Sequence, residues 1–231
     1  MEKIVNTLIS KKDHKYLKGV FDSYTNTYKY ADGVKKFEKY FSKHLTVFDE
    51  ELMCKFGLLY DHYALQMKNQ KARRDLERKA LKIYHLVLKK YPHSHKALWG
   101  IGRVWWHRKN KRAIFYVQQA YKFAQKRGKK GIYTQNVGLV YESLREYQKA
   151  EQWLKKGLRE DEKNWGVYVN IVNFYRLTNQ FKKSRRYAPI GMRLFQKDTT
   201  ASFKKTPWGK KVRELFANSE SPLPLIKKRR S

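Results

Sequence analysis

The stretch GLVYESLREYQKAEQWLKKGL, residues Gly138–Leu158, decides the fold of this chain. Its small and aromatic residues recur 34 positions downstream with the same spacing. The matched positions are Gly138, Tyr141, Ala150, Leu154 and Gly157 upstream, and Val172, Tyr175, Ser184, Ala188 and Gly191 downstream. A fixed period of this length indicates one supersecondary unit that is repeated along the chain and stacked.

The spacing of apolar residues predicts that each unit is a pair of helices. The pairs are expected at residues 95–108 with 111–126, 131–145 with 147–160, and 165–178 with 180–196. Small residues let two helices approach closely, and large ones such as Tyr141 and Tyr175 fill the space between repeats. Pro189 falls inside the last of these helices, so we expect it to kink or split that helix.

These ladders resemble the tetratricopeptide repeat (TPR), a 34-residue helix–turn–helix unit. The resemblance covers roughly residues 53–196 and is best over 95–195. In a further repeat upstream, the first helix holds Phe56–Tyr60 and the second holds Ala80–Val87, with about eleven extra residues between them. The resemblance implies an all-α fold, an α-α superhelix of antiparallel helix pairs with roughly 10–12 helices.

The repeats also suggest how the chain is divided. We predict an N-terminal helical segment over 1–52 that packs on the solenoid, and about four TPR-like repeats over 53–196. A capping helix is expected within 197–217, because Thr206 and Pro207 form a typical helix start and a terminal repeat needs its apolar face covered. Residues 218–231 are predicted to be a basic, disordered tail.

The charge of the chain is extreme, with 53 Lys and Arg against 20 Asp and Glu and a net charge of +33. Such a chain attracts polyanions, so nucleic acid, an acidic protein and anionic lipid are all possible partners. Cys54 is the single cysteine, which excludes an intrachain disulfide. The sequence has no secretory signal and no apolar run long enough to span a bilayer. We therefore expect a soluble, intracellular protein, cytoplasmic or, in a eukaryote, nuclear.

The resemblance implies a concave groove, lined by the first helices of the repeats, that holds a peptide or a partner helix. The residues predicted to line it are Lys96, Trp99, Arg103, Trp106, His107, Gln135, Asn136, Leu139, Glu142, Asn170, Asn173 and Arg176. The clamp for C-terminal carboxylates found in one TPR subgroup is not met, since Trp99 and Arg103 replace an expected lysine and asparagine. Trp99, Arg103 and Trp106 share a helix face, either as an aromatic and cationic platform or as packing against neighbouring helices.

Three clusters of basic residues fall near predicted turns, and together we call them the basic patch. Such clusters are either solvated surface or the electrostatic footprint of a polyanion. The residues are Arg108, Lys109, Lys111, Arg112, Lys126, Arg127, Lys129, Lys130, Lys182, Lys183, Arg185 and Arg186.

The sequence offers little for catalysis. It contains no nucleophile elbow, phosphate loop or zinc-protease motif, and His93 and His95 lack a third ligand at metal-binding spacing. We expect no enzyme activity, cofactor, metal or small-molecule substrate. The first hypothesis is that the chain is a scaffold whose groove binds another protein or a peptide, and that this partner is acidic. The alternative is an RNA- or ribosome-associated protein that uses its basic surface.

Overall fold

A computed structural model describes residues 10–43, 49–125 and 131–220 of the chain. These ranges contain twelve helices and no strand. The helices are α1 (Lys11–Asn26), α2 (Tyr30–Lys43), α3 (Glu50–Gln66), α4 (Gln70–Lys90), α5 (His95–His107), α6 (Arg112–Gln125), α7 (Gly131–Ser143), α8 (Tyr147–Glu160), α9 (Trp165–Leu177), α10 (Phe181–Asp198), α11 (Ala201–Lys205) and α12 (Pro207–Ala217). Consecutive helices pack as pairs, so the predicted all-α, TPR-like class is confirmed.

The turn inside a helix pair has the same backbone in four pairs. Each contains one non-glycine residue with positive φ, namely Tyr28 (58°), Lys109 (52°), Arg145 (63°) and Asn179 (57°). In the α7–α8 turn, the N–H of Arg145 donates to Glu142 O and that of Glu146 to Tyr141 O, both at 2.9 Å. This closure satisfies carbonyls at the end of the first helix. The described turn at 67–69, between α3 and α4, has no residue of positive φ.

The chain forms two compact units, Met1–Phe123 (unit 1) and Ala124–Ser231 (unit 2). In unit 1, the ring of Tyr84 on α4 is fully buried against two glycines, Gly57 on α3 and Gly100 on α5. A methyl group at Gly57 would lie 2.6 Å from the Tyr84 ring, and one at Gly100 would overlap the same ring. These glycines therefore let one aromatic side chain hold three helices together.

Local sequence sets where the helices of unit 1 begin. The side chains of Asp49, Asn69 and Ser94 each accept a backbone N–H from the first turn of α3, α4 and α5, at 2.8, 3.0 and 3.2 Å. Such caps satisfy amide groups that a helix start leaves unpaired. They determine the residues at which α3, α4 and α5 begin.

Unit 2 follows the repeat ladder closely. Gly138 on α7 lies against Leu154 on α8. Gly191 on α10 lies against Phe216 on α12, and a methyl group at Gly191 would lie only 2.5 Å from the Phe216 ring. The Thr206 side chain caps α12 by accepting the N–H of Gly209 at 3.0 Å. α12 begins at the predicted Thr206-Pro207 start, and it packs on α9 and α10.

Of the two effects predicted for Pro189, the split of the helix is wrong. The helix is not split, because α10 runs as one element from Phe181 to Asp198. Pro189 is exposed. The hydrogen bond that proline cannot make is then lost on the solvent side, where water can satisfy the free carbonyl.

Candidate functional site

The largest departure from the repeat is in α3 and α4. α4 has 21 residues, whereas α6 and α8, the second helices of their pairs, have 14 each. The extra residues noted between Tyr60 and Ala80 lengthen α3 and supply the first turns of α4. These turns carry the segment QKARRDLERK, residues Gln70–Lys79, in which five of ten residues are basic. The departure from the 34-residue period thus places a cationic segment on the N-terminal half of one helix.

A cleft lies between the start of α4 and the end of α5, and we call it the α4–α5 cleft. It consists of two cavities of about 490 and 390 Å³ that share Arg74 and Arg108 as walls. Its lining residues are Gln70, Lys71, Arg73, Arg74, Asp75, Glu77, Arg78, His107 and Arg108. Five cations face two carboxylates here, so the cleft has an excess of positive charge.

Glu77 binds two arginines of the cleft. Its carboxylate accepts from Arg73 Nε at 3.0 Å and from Arg108 Nε at 2.7 Å, and only 2% of the residue is exposed. A buried carboxylate is stable only when it is paired and hydrogen-bonded. Because both contacts use Nε, the terminal amino groups of the two arginines remain available to other acceptors. Glu77 therefore orients two guanidinium groups at the cleft.

The second carboxylate of the cleft, Asp75, is an ion-pair partner of Arg78 within α4. Arg74, by contrast, makes no ion pair with any residue in the described ranges, although it lines both cavities. Its charge is thus not neutralised within the cleft.

Behind the cleft is a buried polar cluster of Asp61, His62, Arg103 and His107. Asp61, 1% exposed, binds Arg103 Nη2 at 2.9 Å, and His107 Nε2 lies 4.0 Å from the same Asp61 oxygen. Burial raises the pKa of Asp61, and the Arg103 guanidinium opposes that rise. Burial and the Arg103 charge lower the pKa of His62 to about 3 and that of His107 to about 4. Both histidines are therefore neutral at pH 7, and the cluster has one ion pair.

Most of the groove residues predicted on α5 contact other side chains of unit 1. Trp99 lies under Arg103, with 5.0 Å from the guanidinium to the ring centroid, and Lys96 pairs with Glu51 at 3.4 Å. Trp106 stacks on His107 at 5.2 Å between ring centroids. Arg103 binds the buried Asp61, so its charge is already neutralised at the position where an aromatic and cationic platform was one of the two interpretations.

The groove residues predicted in unit 2 lie on α7 and α9. Asn170 donates to the side chain of Gln135 at 2.5 Å, and Arg176 is 5% exposed, with burial lowering its pKa. Asn136, Leu139 and Asn173 are half-buried. Glu142 is also half-buried, and one of its carboxylate oxygens has no hydrogen-bond partner among the described residues. Burial raises the pKa of Glu142 to about 7.

The basic patch is spread over different surroundings. Arg108 and Arg112 both lie over Trp105, each with 5.2 Å to its ring centroid, and Lys109 and Lys111 are exposed. In unit 2, Lys183 pairs with Glu151 at 3.1 Å, Arg185 pairs with Glu220 at 2.8 Å, and Lys182 and Arg186 are exposed. Lys126, Arg127, Lys129 and Lys130 lie outside the described residues.

Sequence reasoning missed most of the cleft. It named His107 and Arg108, but not the cations of α4 or the two buried carboxylates, Asp61 and Glu77. The signal that could have found them is the inserted length itself, together with the density of arginine in Gln70–Lys79. Among the described residues, no group of three or more His, Cys, Asp and Glu side chains could hold a metal ion. None of the described helices has both the length and the apolar character needed to cross a membrane.

No protein-family model matches the chain, and no curated protein is significantly similar to it. Among solved structures, the chain is similar to one titled "MamA MSR-1 C2", with 13% identity, a TM-score of 0.47, and coverage of 80% of this chain and 97% of the other. It is also similar to the structure of a mutant of MamA, with 13% identity, a TM-score of 0.44, and coverage of 79% and 99%. At this level of similarity, the two structures do not indicate the function of this chain.

Proposed function

We propose that the protein is a non-catalytic helical-repeat scaffold that binds an acidic segment of another protein, and that the α4–α5 cleft is its binding site. The observation that carries the proposal is the charge balance of the cleft. Its two carboxylates, Asp75 and Glu77, already bind arginines, while Arg74 has no counterion among the described residues. The carboxylates of a bound acidic segment would supply negative charge that the cleft lacks.

The shape of the cleft supports a segment rather than a single small molecule. The two cavities follow α4 over its first turns and are joined through Arg74 and Arg108, so an extended chain can place successive acidic side chains in them. Of the predicted groove residues, His107 lines the cleft and Trp106 stacks on it. An acidic segment could therefore continue onto this aromatic side chain.

RNA binding is the second candidate, and one specific contact favours it. Trp105 is covered by Arg108 and Arg112, and Arg108 also lines the cleft. An aromatic ring beside cations can stack on a base while the cations contact phosphates. The half-buried ring of Trp105 also packs against the core of unit 1, which is the more economical explanation of its position.

Direct binding measurements with two different ligands test the proposal. Full-length protein purified with nuclease is titrated with a fluorescent Glu- and Asp-rich peptide and with a single-stranded RNA of similar length, over a range of salt concentrations. We expect the peptide to bind, and the double replacement of Arg74 and Arg108 by Ala to weaken it. Loss of one exposed charge on the same helix, Lys82→Ala, should have little effect.

The RNA candidate has a different signature. Binding of single-stranded RNA should fall with salt with a log–log slope of about −0.7 for each phosphate contacted. If only RNA binds, or if peptide binding ignores the two arginine replacements, then the α4–α5 cleft does not hold an acidic protein segment.

A further inference from the structure

The larger cavity of the α4–α5 cleft has a net charge that a single carboxylate does not balance. Arg73, Arg74 and Arg108 line it together with the single carboxylate of Glu77, and His107 is neutral at pH 7. The local charge is therefore close to +2. A carboxylate or an internal phosphodiester of RNA carries one negative charge, whereas a phosphomonoester carries about −1.5 to −2 at pH 7. The charge of the cavity matches the phosphomonoester best.

The choice of cation points to the same ligand. Arginine makes up only 16 of the 53 basic residues in the chain, yet four of the five cations that line the cleft are arginines. The guanidinium group presents parallel N–H donors that match phosphate oxygens, whereas lysine presents a compact point charge. Lysine would be sufficient for a merely basic surface, so the enrichment of arginine at the cavity indicates recognition of a planar or tetrahedral oxyanion.

The arginines are also oriented before any ligand arrives. Glu77, almost fully buried, holds Arg73 of α4 and Arg108, the residue that follows α5, through their Nε atoms, which restricts both side chains. Fixed donors lose less side-chain entropy on binding than free ones. The start of α4 also lies at the cavity through Gln70, and the positive end of the helix dipole favours an anion there.

We infer that the larger cavity binds the phosphoryl group of a phosphorylated side chain within the acidic segment. Arg73 and Arg108 donate to its oxygens through their terminal amino groups, and Arg74 supplies the further positive charge. This inference rests on the proposed function, since the phosphorylated residue belongs to the same bound segment. A phosphoryl site in this cavity would make binding of the partner dependent on phosphorylation of its acidic segment.

The test compares three peptides of one acidic sequence by fluorescence anisotropy with the full-length protein. One has a central phosphoserine, the second has serine and the third has glutamate at that position. We expect the phosphopeptide to bind about tenfold or more tighter than either of the others, from one or more additional charge-assisted hydrogen bonds. Free inorganic phosphate should compete with the phosphopeptide but not with the serine peptide.

Three variants locate the effect. Arg74→Ala should remove most of the preference for phosphoserine without unfolding the protein, because Arg74 is exposed and unpaired among the described residues. Arg108→Lys keeps the positive charge but removes the parallel N–H donors of the guanidinium group, so it should also reduce the preference for phosphoserine. Lys82→Ala, which removes one exposed charge from the same helix, should leave the preference unchanged. Circular dichroism melting confirms that each variant is folded.

The possible results separate this inference from the proposed function. Equal binding of the three peptides, still weakened in the cleft variants, would overturn the phosphoryl site and leave the acidic-segment scaffold standing. Failure of all three peptides to bind would overturn both. A phosphoserine preference that persists in Arg74→Ala and Arg108→Lys would place the phosphate elsewhere and overturn the inference. Tighter binding of a single-stranded RNA than of the phosphopeptide, lost in the same variants, would overturn both proposals in favour of RNA.

Discussion

Glu77 in unit 1 and Glu151 in unit 2 each bind two cations, but in different surroundings. Glu77 is almost fully buried and holds two arginines beside a cavity. The Glu151 side chain is 20% exposed, binds Lys155 at 2.8 Å and Lys183 at 3.1 Å, and lines neither of the two cavities of the cleft. The regular repeats of unit 2 leave their ion pairs at the surface, whereas the irregular α3–α4 pair concentrates buried charge at a cleft. Departures from the repeat therefore locate the candidate site.

The largest difference in stability is expected between two carboxylate deletions. One removes the partner of Arg103 in the buried Asp61–Arg103 ion pair of unit 1, and the other removes Glu151, which forms more exposed ion pairs in unit 2. Asp61→Ala leaves the guanidinium of Arg103 buried without its carboxylate, so it should reduce the free energy of unfolding by about 3–5 kcal/mol. Glu151→Ala should reduce it by about 1–2 kcal/mol, because water can replace the lost contacts. Urea denaturation followed by circular dichroism measures both.

A double variant provides the control. Replacing Asp61 by Ala and Arg103 by Met together should restore much of the stability that Asp61→Ala alone loses, because no buried charge remains unpaired. If Asp61→Ala and Glu151→Ala have equal effects, the difference in burial between the two ion pairs does not matter energetically, and the comparison is wrong.

The next contrast concerns glycines at helix contacts. Gly100→Ala forces a methyl group into the fully buried ring of Tyr84, so we expect a loss of about 3 kcal/mol. In unit 2, a methyl group at Gly157 would lie 3.1 Å from Cγ of Gln135, which is a much smaller overlap than the one at Gly100. Because alanine also favours the helix by about 1 kcal/mol, Gly157→Ala should change stability by less than about 1 kcal/mol. Similar losses in the two variants would show that the Tyr84 contact is not tight.

The two units should also respond in opposite directions to acid. Glu142, with a pKa of about 7 when folded and 4.5 otherwise, makes the folded state bind more protons between these values. Its contribution to stability therefore falls as pH rises through that window. His62 and His107, with lowered pKa values of about 3 and 4, make the unfolded state bind more protons below 6.5, so stability is lost as pH falls. The raised pKa of Asp61 opposes the two histidines only in part.

Amide hydrogen exchange at pH 7 and pH 5, corrected for intrinsic rates, measures these responses helix by helix. Acidification should reduce protection in α3 and α5 and increase it in α7, by an amount on the order of 1–2 kcal/mol. Glu142→Gln should abolish the increase in α7 and leave α3 and α5 unchanged. A loss of protection in α7 on acidification would contradict the raised pKa of Glu142.

The sequence predicted the helix pairs from α5 to α10 closely because their signal is local and repeated. Gly138, Tyr141 and Ala150 recur at fixed spacing, and each reports a contact inside its own unit. The cleft depends instead on pairing between distant residues, such as Glu77 and Arg108, which are 31 positions apart. Nothing in the residues themselves says which arginine a carboxylate will meet. The sequence could thus predict that α5 matters, but not that Arg103 would be neutralised, nor that Arg74 would have no ion pair in the part of the chain that the structure describes.

The smallest expected effects come from removing two tyrosine hydroxyl groups. The two removals should change the free energy of unfolding in opposite directions. Tyr175 donates to Glu151 at 3.0 Å, so Tyr175→Phe should cost about 1 kcal/mol. The hydroxyl of Tyr84 is buried with no hydrogen-bond partner among the described residues, so Tyr84→Phe should be neutral or raise the free energy of unfolding by about 1 kcal/mol. Thermal melting of the two variants at pH 7 provides the measurement. If Tyr84→Phe is instead destabilising, the hydroxyl contributes to the buried polar cluster with Asp61 and Arg103, and that cluster is then held from α4 as well as from α3 and α5.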